Sequence, residues 1–65
     1  MIKKVIEVIE LLEDNGWVYL KSRGDHHKFK KAGAAQSVIV PRKRSDDLAP
    51  GTLGAILRKT GLKFK

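Results

Sequence analysis

The chain has no cysteine, which removes disulfides, thiolate metal ligands and cysteine nucleophiles together. An intracellular setting follows as the expectation, with the cytoplasm as the default location. No apolar run approaches the roughly 20 residues of a membrane span or the central region of a signal peptide, so no membrane contact is expected. A phosphate-cradling glycine loop is missing, as is any pair of carboxylates set for acid–base work. At 65 residues there is no room for a second core, and residues 1–65 read as one domain. Burial at this size supplies only roughly 3–5 kcal/mol of net stability, which leaves room for stabilisation by a partner.

Acids are in short supply as well: seven against 14 Lys and Arg, for a formal charge of +7. Their placement sharpens the imbalance. Residues 21–44 carry eight cations (Lys21, Arg23, Lys28, Lys30, Lys31, Arg42, Lys43 and Arg44) and one acid, Asp25. Glu7, Glu10, Glu13 and Asp14 instead gather in the first segment. So lopsided a field attracts a polyanion, of which nucleic acid is the commonest. Charge excess alone is equally well explained as a solubilising surface.

The pattern of apolar residues gives the order of elements. Ile2, Val5, Ile6, Ile9 and Leu12, widened by Val8 and Leu11, form one stripe of a helix over residues 2–15. Asn15-Gly16 ends it, and Trp17 folds back onto its last turn. Residues 17–23 read as a strand. Gly24-Asp25 makes a tight hairpin turn into a returning strand over residues 26–31. A small-residue loop, 32–36, leads to a third strand at 37–40, closed by Pro41. After a basic connection, Pro50 opens a second helix with the stripe Leu53, Ile56 and Leu57, and Gly61 stops it. Asp46-Asp47 reads as an acidic lead-in to that helix. The order is α-β-β-β-α, an α+β fold of two layers. Both helices lie on one face of a three-stranded antiparallel sheet, and the other face meets solvent.

Both histidines lie in Arg23-Gly24-Asp25-His26-His27-Lys28-Phe29. Strand side chains alternate, and Phe29 is the one large apolar residue here, so it points at the helices. His27 then sits at the core margin, held by a hydrogen bond through one nitrogen, and His26 joins Lys28 and Lys30 on the open face. In the preceding strand, burying Val18 and Leu20 leaves Tyr19, Lys21 and Arg23 outside, with Tyr19 as a stacking surface. In the third, Val38 and Val40 face inward and Ile39 outward. The two histidines diverge and have no Cys or nearby Glu to complete a shell, so no metal is expected. A histidine among cations suits RNA, whose 2′-hydroxyl is a built-in nucleophile: one base removes its proton and cations stabilise the charge on phosphate, without a cofactor. His26 is the candidate base (or acid), and Lys21, Arg23, Lys28, Lys30, Arg42 and Lys43 are the candidate phosphate-binding residues.

A longer constellation adds to this. Leu11-Leu12-x-x-Asn15-Gly16-Trp17 is followed by Gly24-Asp25-His26-His27-Lys28-Phe29 and Val38-x-Val40-Pro41. Pro50-Gly51-Thr52-Leu53-x-x-Ile56-Leu57-x-x-x-Gly61 completes it. Over nearly the whole chain, in the right order, these residues resemble the HicA-type mRNA interferase toxins. The resemblance implies a fold similar to double-stranded RNA-binding domains, cleavage of mRNA, and neutralisation by a HicB-type antitoxin. It also implies a functional role for the first histidine after the glycine turn, here His26. Two positions depart from the pattern. Asp25 stands where the family usually has Ser, placing a carboxylate beside the site. Arg42-Lys43 stands where many members carry a His, so help from that position is electrostatic only. Two other functions suit the same residues: a non-catalytic RNA-binding module using the basic face, and a small interaction domain for an acidic protein.

Overall fold

The computed structural model describes residues 3–64. In chain order it consists of β1 (Lys3–Lys4), α1 (Val5–Asp14), β2 (Val18–Arg23), β3 (His26–Lys30), β4 (Val38–Val40), β5 (Asp47–Leu48) and α2 (Pro50–Thr60). Strands β2, β3 and β4 form an antiparallel sheet in that order, and β1 pairs with β5 in a separate two-stranded ladder.

Helix α1 begins later than its apolar periodicity predicts. The backbones of Lys3 and Lys4 are committed to the ladder with Leu48 and Asp47, and Ile2 lies outside the described residues. The donors at the start of the helix find partners: Lys4 N–H, at the N-cap, donates to the carboxylate of Glu7 in the first turn (2.9 Å). Val5 and Ile6 N–H donate to the carbonyls of Asp46 (2.9 Å) and Arg44 (3.1 Å). Its other end is a Schellman motif. Gly16, at φ 88°, lets Gly16 N–H reach the Glu13 carbonyl and Trp17 N–H the Leu12 carbonyl, at 3.2 and 3.0 Å. Trp17 and Leu12 are both buried there, so Trp17 packs on the helix end and takes no part in the strand. Helix α2 starts at Pro50, whose missing N–H costs nothing at that position, and stops at Gly61 in the left-handed region (φ 73°).

Val5, Val8, Ile9 and Leu12 of α1 join Leu53 and Ile56 of α2 over Phe29, Val38 and Val40 of the sheet. Both helices therefore cover one face. On β4 the alternation is as expected, with Ile39 outside between two buried valines.

On β2 the expected facing is reversed. Val18 and Leu20 point to solvent, 60% and 50% exposed, with Ile39 beside them at 51%. Tyr19 instead pairs with Phe29, its ring edge-on at 5.8 Å between centroids, so the stacking surface expected on the open face is not there. Register explains this. Tyr19 opposes Phe29 but Lys21 opposes Lys28, so Leu20 and Lys21 together face one residue of β3. This β-bulge resets the parity of the strand. Beyond it Ser22, still exposed, pairs with His27, and Arg23 pairs with His26 on the open face. Lys21 and Arg23 reach the open face because of the bulge, not through unbroken alternation. Asp47, expected as a helix lead-in, belongs to β5, where its carboxylate lies 3.8 Å from Lys4 Nζ.

Candidate functional site

The β2–β3 connection is a two-residue turn in which Gly24 takes φ 60°. Asp25 does not share the positive φ, the pattern of a type II′ turn, whose twist matches that of the flanking strands. Nothing lies within 4 Å of a side chain built at Gly24, so conformation and not crowding calls for glycine. The turn places Arg23 directly across from His26, and two residues later Lys21 across from Lys28.

These four side chains, with Ile39 of β4, line an open depression of about 330 Å³. Three cations thus surround one solvent-exposed imidazole, with no carboxylate in the lining. Neither ion pair among the described residues, Lys4–Asp47 and Arg42–Asp46, involves them. Their charge is therefore unspent, and the shared face concentrates it. Asp25 stands at the turn and does not line the depression. Lys30 lines a neighbouring depression that Lys28 and Ile39 also border. Gln36 of the β3–β4 loop and Lys59 of α2 reach this second depression. Neither is singled out by the sequence, because only the tertiary approach of α2 to β4 brings them together.

His27 points the other way and is buried. Its Nε2 lies 3.1 Å from the carbonyl oxygen of Arg42. A carbonyl only accepts, so Nε2 carries the proton and the neutral ring is the Nε2–H tautomer. Nδ1 is buried without a partner. That leaves His27 no exchangeable face toward solvent. Arg42 itself has φ 76°, a left-handed conformation uncommon for a side chain of this size. Its guanidinium turns to Asp46 (Nε–Oδ2 3.8 Å). Arg42 and Lys43 line neither depression, so charge alone placed them among the candidates.

The histidines face opposite sides of β3 and cannot share a ligand. Among the described residues no group of three His, Cys, Asp or Glu side chains is placed to hold a metal ion. None of the described helices is long and apolar enough to cross a membrane. No curated protein sequence matches the chain. Residues 6–62, from the first turn of α1 to just past the stop of α2, match the family described as the HicA toxin of bacterial toxin–antitoxin systems. That span takes in the helix stop, the glycine turn, both histidines and the second helix, and the chain therefore belongs to the HicA family of toxins.

Proposed function

We propose that this toxin is an mRNA endoribonuclease that acts through His26 without metal or cofactor, and that a HicB-type antitoxin restrains it in the cytoplasm. The observation that carries the reading is the exposed imidazole of His26 in a depression shared with Lys21, Arg23 and Lys28. In this mechanism His26 takes the proton of a 2′-hydroxyl. The 2′-oxygen bonds to phosphorus and the bond from phosphorus to the 5′-oxygen breaks. The products are a 2′,3′-cyclic phosphate and a 5′-hydroxyl, which takes its proton from imidazolium or solvent. Lys28, Lys21 and Arg23 stabilise the charge that builds on the phosphate oxygens, and their fixed places on strands make that stabilisation preorganised. Lys30 binds the substrate beyond the scissile position. Arg42 and Lys43 contribute longer-range attraction only.

The test is purified protein with end-labelled RNA in the presence of EDTA. His26→Ala is expected to lower cleavage by about 100- to 10,000-fold, the usual contribution of one positioned acid or base, with RNA binding retained. Cleavage that survives this substitution, or that stops on chelation, defeats the proposal. One observation favours a second reading, RNA binding without cleavage: no side chain among the described residues hydrogen-bonds His26 to orient it. In that case binding is salt-sensitive and no product forms.

A further inference from the structure

We infer that the second depression, beside the His26 site, is a subsite for a neighbouring nucleotide and that the substrate is therefore single-stranded RNA. The inference rests on the ribonuclease reading and extends it to the class of substrate. Four observations meet here. The two depressions adjoin, with Lys28 and Ile39 bordering both. Lys28, Lys30 and Lys59 supply three cations to the second one, and no acid lines it, so its charge complements a phosphodiester chain arriving from the first. Its floor on the sheet side is apolar: Leu20 and Ile39 are half exposed and cover nothing. At its rim Gln36 offers a donor and an acceptor at once.

A cationic rim around an apolar floor fits an unpaired nucleotide, whose phosphate meets the lysines while its base lies against the aliphatic side chains. It does not fit a duplex. In A-form RNA the bases are stacked inside, and a protein meets phosphates, 2′-hydroxyls and a shallow groove across about 16 base pairs. Leu20 and Ile39 have nothing to touch on such a surface, and the whole molecule measures only 28 × 27 × 18 Å. His26, Lys28 and Lys30 follow one another on one face of β3 at about 7 Å per pair. A single strand laid along them passes from the reacting phosphate into the second depression. The bulge at Leu20 matters for this, since it sets an apolar side chain and Lys21 on the same side.

The experiment uses the full chain carrying His26→Ala, so that RNA is bound and not cleaved. Affinity for a single-stranded oligonucleotide of roughly ten bases, and for the duplex of the same sequence, is followed by fluorescence anisotropy across a salt series. Lys59→Ala is compared with Lys63→Ala, which removes the same charge from the tail just after α2, where Lys63 lines a different depression with Leu11 and Asp14. One lost phosphate contact on a single strand lowers the salt slope by about 0.7, or about fourfold in affinity at 0.15 M salt. Lys59→Ala is expected to show that loss and Lys63→Ala not to, and the duplex is expected to bind more weakly than the single strand. Equal effects from the two lysines, or a duplex bound as tightly as the strand, overturn the inference. So does a Lys59→Ala protein that loses an acidic protein partner while its RNA affinity is unchanged. His26-dependent cleavage by the parent protein, measured alongside, separates the two levels. If it is present, such results sink the subsite alone; if the parent neither binds nor cleaves RNA, the ribonuclease reading falls first.

Discussion

Adjacent in sequence, His26 and His27 are expected to fail in different ways when each is cut back to alanine. His27→Ala removes the donor that holds the Arg42 carbonyl, and a part-buried acceptor left alone costs about 1–2 kcal/mol. Removing a buried ring from beneath the sheet adds roughly 2 kcal/mol of lost packing. Some of this returns as Arg42 relaxes from its left-handed conformation, which holds about 1–2 kcal/mol. The net loss of roughly 2–3 kcal/mol compares with roughly 3–5 kcal/mol available to a domain of this size. His27→Ala therefore lies near its unfolding midpoint in buffer, whereas His26→Ala, at an exposed position, stays within about 0.5 kcal/mol of the parent. Urea titration followed by the fluorescence of Trp17, which is buried at the end of α1, measures both. Equal midpoints for the two variants refute the reasoning. A stable His27→Ala protein that has lost cleavage reverses the facing of the pair.

The bulge makes an unusual deletion tolerable. Removing Leu20 leaves Tyr19 opposite Phe29 and Lys21 opposite Lys28 with no residue unpaired, so the hairpin keeps its facing and stability changes by about 1 kcal/mol or less. Removing Ser22 instead sets Lys21 opposite His27, away from the face that carries His26, so one cation leaves the depression; cross-strand NMR contacts between Tyr19 and Phe29 report on the hairpin, and their loss in the Leu20 deletion contradicts the register. Arg42→Gly relieves the left-handed strain at the expense of backbone entropy, so stability holds or rises by up to about 1 kcal/mol, while Arg42→Val loses about 1–2 kcal/mol. A glycine variant less stable than the valine one shows that the Arg42 side chain outweighs its backbone.

How legible each part was follows from where its information lies. Asn15-Gly16-Trp17 and Pro50 with Gly61 are local signals, and both helices end where these residues end them. The facing of β3 was readable because Phe29 is its only large apolar side chain, which fixes His26 outward and His27 inward. Residues 17–20 carry no such information: four apolar residues in a row give no alternation to follow, and the bulge at Leu20 has no signature residue. The β1–β5 ladder was hidden for another reason. It joins two-residue segments more than forty residues apart, and only the folded chain brings them together. Candidate phosphate ligands read from charge on a strand could be assigned a face. Those read from charge in a connection, Arg42 and Lys43, could not, and Lys59 was out of view because its neighbours come from another layer.

The first amides of a helix are ordinarily the quickest to trade their hydrogens with water, having no carbonyl one turn earlier to hold them. In α1 the amides of Val5 and Ile6 are instead tied to the carbonyls of Asp46 and Arg44, in the connection that His27 anchors at Arg42. They can exchange only when this segment lifts away. Two amides at one end of a helix therefore keep time for the separation of the helical layer from the sheet, an opening that the fraying of the helix alone does not reach.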